Sequence, residues 1–376
     1  MAEFLSPYAM DKVLEGVIPA NQPVRPNWLQ SFFSDVNVHY KDTINFDKEF
    51  QTKNIPVMYV NPDVDAPLIQ MQGYGTQEFT FAYLKEGLGS PDYSQINKRQ
   101  MGDQFGNVDP WANHLAWIQK ALAITEANFE TRFEITAASI LVNGGYTASS
   151  EFHETVKYDF NRTTVTTDAG YLSKYVPSID LTTLNGNGGV GKRAWGSTGG
   201  TKAPTPYQDF ITACQTCLRQ GGIAGAILSD DAYLALEADI TTNYKDAATN
   251  TLSVMQSIEL KVLPVIEKYL DVNFRRAIAL GNGQVVNVYT YGAGYNDRTT
   301  GTFIKYIPDG NMLIIPTSNF IKRYGRIKHP DAQYEPMDRY INTWKDAKSG
   351  KLESEIHCNF VMGSRNIDRV VRWKVM

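Results

Sequence analysis

A chain of 376 residues, 43% hydrophobic and 20% charged, is large enough for one sizeable core or two medium ones and has the composition of a folded protein. No apolar run approaches the roughly 18 residues that a membrane span needs, so neither a transmembrane helix nor a membrane partner is expected. The net charge of -4 lacks the basic footprint of tight nucleic-acid binding, and three scattered cysteines (Cys214, Cys217, Cys358) argue against a disulfide framework and for a reducing compartment.

The first residues, "MAEFLSPYAMDKVLEG", carry acidic groups early and do not resemble a secretory signal, so the chain is expected to stay where it is made. Short apolar clusters such as "NWLQSFF" (Asn27 to Phe33), interrupted by Pro19, Pro23 and Pro26, predict an arm rather than a domain over residues 1–50. From Ile55 to Leu84 the runs "IPVMYV", "APLIQM" and "TQEFTFAYL" alternate with turn-rich punctuation and predict a long antiparallel hairpin. Phe79, Phe81 and Tyr83 share one face of it, and an aromatic face needs something to lie against.

The strongest helical signal opens at "DPWANHLAW". Asp109 can cap, Pro110 suits the first helical position, and Asn143-Gly144 supplies the stop. A helix from Pro110 to about Val142 would run roughly 50 Å, long enough to be a strut. Its stripe of Leu115, Ile118, Leu122, Phe129 and Phe133 is apolar, while Gln119, Glu126 and Glu130 are expected to face away. "YTASSEFHETVKYDF" returns to strand-like text, and residues 163–206, rich in Gly, Thr, Ser and Asn, read as loop rather than core.

A mixed module follows. "TPYQDFITACQTCLRQ" predicts a helix, "IAGAIL" a buried strand, "DDAYLALEADI" a helix and "VVNVYTYG" a strand. "TFIKYIPDGNMLIIP" predicts strands paired about Asp309-Gly310, and "SEIHCNFVMG" and "RVVRWKVM" two more about Ser364-Arg365-Asn366.

Chemical motifs are weak throughout. "GNGGVGKR" (Gly186 to Arg193) has the spacing of a phosphate-binding loop, but Arg193 stands where a Ser or Thr should hold magnesium. "RAWGSTGGTKAPTP" after it cannot open the required helix. Cys214 and Cys217 are spaced C-x-x-C without a second pair, and His153-Glu154 and His357-Cys358 fit no metal or nucleophile motif. No catalytic, metal or cofactor-binding residue is therefore assigned. What remains is shape: an arm and a hairpin expose surface that neighbouring subunits can cover, and the 6 Trp, 21 Tyr and 17 Phe suit buried contacts.

The order of parts resembles tailed-phage major capsid proteins of the lambda type, with the Hong Kong 97 fold, over nearly the whole chain. The resemblance is carried by "NWLQSFF" followed by "INFD", by "VMYVNPDVDAPLIQMQGYGTQEFTFAYLKEG", and by "VNVYTYGAGYND" leading to "FIKYIPDGNMLII". It implies an α+β fold with an N-terminal arm (1–50), an extended E-loop (51–108), a peripheral domain with spine helix and long strand (109–160), an axial domain (161–327) and a return to the peripheral domain (328–376). It implies pentamers and hexamers assembled in the host cytoplasm into an icosahedral shell around double-stranded DNA, which is held by weak non-specific contact. Scaffolding protein, portal and a decoration protein are the implied partners, and an uncleaved coat protein is expected. Trp28, Phe32, Phe33, Tyr74, Phe79, Phe81 and Tyr83 are the expected inter-subunit contacts, with Phe79 and Phe81 on a neighbour. The alternatives are a P-loop-like nucleotide-binding enzyme and another virion component such as a tail protein.

Overall fold

The computed structural model describes residues 27–49, 74–88, 110–150, 153–165, 176–182, 194–195, 205–219, 221–243, 271–280, 284–317, 320–345 and 352–376. A 3-10 turn, Leu29–Phe32, leads into strands β1 (Asp35–Val38), β2 (Thr43–Glu49), β3 (Tyr74–Thr80) and β4 (Ala82–Leu88), then helix α1 (Pro110–Asn143). Strands β5 (Gly145–Ser150), β6 (His153–Asp159), β7 (Thr164–Val165) and β8 (Ser178–Asp180) precede α2 (Pro206–Leu218), β9 (Ile223–Leu228) and α3 (Asp230–Asn243). The remainder is β10 (Val272–Ala279), β11 (Val285–Tyr291), β12 (Gly294–Asn296), β13 (Phe303–Lys305), β14 (Asn311–Pro316), β15 (Phe320–Tyr324), β16 (Tyr340–Lys345), β17 (Leu352–Ser364) and β18 (Val371–Lys374).

Among the described residues there are two larger sheets. In the first, β1, β15, β17 and β16 follow one another and β4 lies along the other edge of β17, from Ser354 opposite Leu88 to Phe360 opposite Ala82. Helix α1 packs on this sheet with the expected stripe, since Ile118, Leu122, Phe129 and Phe133 are all buried; the Leu115 side chain lies outside the described residues. The helix ends where Gly144 turns to φ +79°, its N–H donating to Ile140 O at 3.0 Å. The Arg162 guanidinium then donates to the carbonyls of Val142 (2.7 Å), Leu141 (2.7 Å) and Ile140 (3.1 Å). A cation is thus set against the negative end of the helix dipole. Glu126 and Glu130, expected to face away, are instead half-buried and pair with Arg339.

The long hairpin starts earlier than its text suggested. Strands β2 and β3 pair from Thr43 opposite Thr80 to Glu49 opposite Tyr74, and residues 50–73 between them lie outside the description. The chain leaves the hairpin at Phe81, so β4, which was expected inside the E-loop, is a strand of the first sheet.

The second sheet has the order β10-β11-β9-β14-β18-β8-β7, with α2 and α3 packed on one face. Its central strands β9 and β14 are mostly apolar because both faces are covered. Period-two alternation sends Ile227, Leu313 and Ile315 into the core shared with α1, and Ala226, Leu228, Met312 and Ile314 into the core beneath α2 and α3.

Three expectations are corrected here. Part of the 163–206 stretch is core, since Val176, Ile179, Leu181 and Trp195 are 0–2% exposed and the Trp195 indole donates to Asp209 Oδ2 at 3.0 Å. Strands β13 and β14 do not pair with each other; β13 pairs with β12, while β14 lies between β9 and β18. The last two strands also separate: β17 belongs to the first sheet, but β18 joins the second, so residues 328–376 do not all return to one domain.

Candidate assembly surface

No chemical centre is built by the described residues. They contain no group of three or more His, Cys, Asp or Glu side chains able to hold a metal. The "GNGGVGKR" stretch and the His153 and Glu154 side chains lie outside the description. Cys214, Cys217 and Cys358 are all buried as free thiols, and burial pushes Cys217 and Cys358 up to about 12 and Cys214 well above its ordinary value. Such thiols are poor nucleophiles and poor ligands, because both chemistries need the thiolate. His357 is 3% exposed, with Nδ1 at 2.7 Å from the Tyr83 hydroxyl and Nε2 at 3.3 Å from Glu355 Oε2. Burial holds its pKa below the ordinary value, which favours the neutral ring.

Most of the aromatic side chains expected at subunit contacts are used inside the protomer. Trp28 packs edge-on against Tyr289 and Tyr291, and Phe33 lies 4.9 Å from Phe320, both with under a tenth of their surface exposed. Phe79 meets Phe46, Tyr158 and Phe160 with ring centroids 5.3–5.5 Å apart. Phe81 stacks on His39 and closes over Gly325, where a Cβ would come within 2.9 Å of its ring. Phe79 and Phe81 are each 8% exposed, so the chain's own core supports most of each ring. Phe32 and Tyr83 are half-buried; the Tyr74 side chain lies outside the description.

Among the described residues, the exposed apolar side chains lie elsewhere, at positions that carried no motif. Strand β1 closes the first sheet at one edge, held by parallel pairing with β15 and by Asp35, which accepts from Arg323 and Arg365. Those guanidinium bonds hold the Asp35 carboxyl below its usual range. Along β1 and the turn after it, Val36 and Val38 are 49% exposed and Tyr40 is 59% exposed. The β12–β13 hairpin carries a second such point at Phe303 and Ile304. An apolar edge strand of this kind is what a soluble monomer normally blunts with charge.

Comparison with known proteins shows the family. The family model for phage major capsid protein E matches residues 12–173 and 193–375. Among solved structures, the fold is similar to a protein assigned to the capsid of an Escherichia coli CFT073 prophage, with TM-score 0.63 and 14% identity over 97% of this chain and 98% of that one. Weaker likenesses are to a phage-related protein of Bordetella bronchiseptica RB50 (TM-score 0.45, 12% identity, 100% and 98% covered) and to the satellite phage P4 procapsid (TM-score 0.42, 9% identity, 99% and 92% covered). No curated protein matches the sequence. The α+β architecture described above is the Hong Kong 97 fold of phage capsid proteins. With the family matched over most of its length, the chain belongs to the phage major capsid protein E family: it is a structural protein of the tailed-phage virion capsid, not an enzyme, and works by assembling into a multimeric shell.

Proposed function

We propose that copies of this chain associate as pentamers and hexamers into an icosahedral head, and that the free edge of β1 is one of the surfaces by which they do so. The observation that supports this reading is the pair Val36 and Val38, each 49% exposed on an edge strand with no further strand beside it among the described residues. A second copy supplies both apolar cover and main-chain partners there. In domain terms, the arm is residues 1–50 and the E-loop is residues 51–108. The peripheral domain is built on α1 and the first sheet, and the axial domain on the second sheet with α2 and α3.

Scaffolding protein, portal and a decoration protein fit such a shell as partners, and assembly takes place in the host cytoplasm. The net charge of -4 suits a container whose inner wall holds packaged DNA only weakly. Negative-stain microscopy with sedimentation velocity tests the reading on the purified chain, alone and with its neighbouring phage genes. Shells or capsomers of five and six copies are expected, and Val36→Lys with Val38→Lys should abolish them while leaving a folded monomer. A monomer under every condition would overturn the oligomeric reading, and normal shells from the lysine variant would remove β1 from it.

A further inference from the structure

Along one face of α1, Glu126, Glu130 and Glu134 recur at intervals of four residues, a spacing at which like charges repel. Each is nevertheless engaged. Arg339, from the segment before β16, pairs with Glu126 and Glu130, and the Gln30 side chain also donates to Glu130. Glu134 differs from the other two. It is fully buried in the middle of the helix, and among the described residues no lysine or arginine pairs with it.

Its charge is met by neutral donors from two other parts of the chain. The backbone N–H groups of Leu29 and Gln30, at the start of the 3-10 turn, donate to its two carboxylate oxygens at 2.8 and 2.9 Å. The Tyr291 hydroxyl at the end of β11 donates at 2.7 Å. The Trp28 ring closes over the same place against Tyr289 and Tyr291, and Tyr291 in turn stacks on Tyr306. One carboxylate thus joins three bodies: the segment where the N-terminal arm meets the fold, the spine helix, and the second sheet.

We propose that Glu134 is a latch that seats the turn of residues 28–33 on the fold, making that turn, the spine helix and the second sheet move together. The backbone donors come from this turn, so lifting it away leaves a buried carboxyl short of partners, which costs free energy whether the group stays charged or takes up a proton. The turn is therefore either docked through Glu134 or the local core reopens to water, with little stable ground between. A latch of this kind makes the turn's position respond to any displacement of the second sheet against the helix, because Tyr291 and the turn share one acceptor.

The test is hydrogen exchange by mass spectrometry on the full chain, with Glu134→Gln as the main variant. A carboxamide of the same shape turns an NH2 toward one of the donors it must accept from. Exchange across residues 28–33 should rise at least about tenfold, while amides of Ala137 to Leu141 change by less than about twofold. Chymotryptic cleavage should appear within the same 28–33 segment. Unchanged protection of residues 28–33 would overturn the proposal. So would a uniform rise across helix and sheets, which would make Glu134 an ordinary buried polar group. If Glu134→Gln does not fold, Tyr291→Phe carries the test, since it keeps the ring and removes only the hydroxyl that donates to Glu134. A selective rise at 28–33 supports the latch, and none refutes it.

Discussion

Phe79→Ala separates a residue that holds the protomer together from one that holds protomers to each other. The ring is 8% exposed and touches Phe46, Tyr158 and Phe160 with centroids at 5.3–5.5 Å. Truncating a buried Phe to Ala costs about 3–5 kcal/mol, of which each lost aromatic pair accounts for about 0.5–1.5. The site lies at the base of a two-stranded hairpin and has some room to collapse, which places the expected loss near ~3 kcal/mol. Urea unfolding of the unassembled chain reads this directly: with a slope of about 2–3 kcal/mol/M, the midpoint falls by about 1 M. Phe79→Asp with Phe81→Asp should prevent folding altogether, because two carboxylates would be buried without partners. The reasoning is refuted if Phe79→Ala leaves the midpoint within the scatter of wild type and abolishes shell formation. That pattern would mean the ring's true support is another subunit.

Two further outcomes follow from single positions. Burial lowers the pKa of His357 from the ordinary 6.5, so the folded state prefers the neutral ring; stability is complete above that value and is lost as pH falls through the folded pKa. Urea midpoints between about pH 7.5 and 5 should decline in the wild type and flatten in His357→Gln, and an identical slope in both would clear His357 of the effect. Gly144→Ala should cost about 1–3 kcal/mol, since φ is +79° and a Cβ would stand 2.9 Å from that of Arg162. A thermal midpoint equal to wild type would show that the Arg162 cap shifts freely.

What could be read from the sequence was what local rules write into it. Asp-Pro at one end and Asn-Gly at the other bracket α1, and its stripe points as its spacing requires. The apolar runs "AGAIL" and "MLIIP" mark strands that are buried over most of their length. Partners far away in sequence leave no such mark. Strand β8 is three residues long and pairs with β18, Ser178 opposite Arg372, so nothing near it distinguished core from loop. Strand β1 pairs with β15 across a still longer stretch of chain, Asp35 opposite Ile321, and its exposed edge follows from that topology and not from composition. Tyr and Phe residues were read as contact surface because aromatic content alone does not say which chain a ring rests on. Glu134 did leave a signal: with Ala137, Ala138 and Leu141 it continues an apolar stripe at intervals of three, four and seven. A carboxylate at such a position needs donors, and only the fold could say that the arm provides them.

The two cores of this subunit are not independent, and that bears on how a shell made of it responds to load. Neighbouring residues of β14 face opposite ways, Leu313 toward α1 and Ile314 toward α2, so the second sheet is a wall common to both. A displacement of that sheet is therefore felt by the packing beneath α2 and α3 and by the spine helix at once. It also reaches the arm, because Tyr291 at the end of β11 bonds the same Glu134 that holds Leu29 and Gln30. Close-packed interiors transmit strain instead of absorbing it. The first sheet carries the exposed β1 edge, and the arm enters β1 directly after the latched turn. Force applied at the second sheet thus has a continuous path of packed and hydrogen-bonded groups to the edge offered to a neighbour, which a subunit with two separate cores joined by a linker would lack.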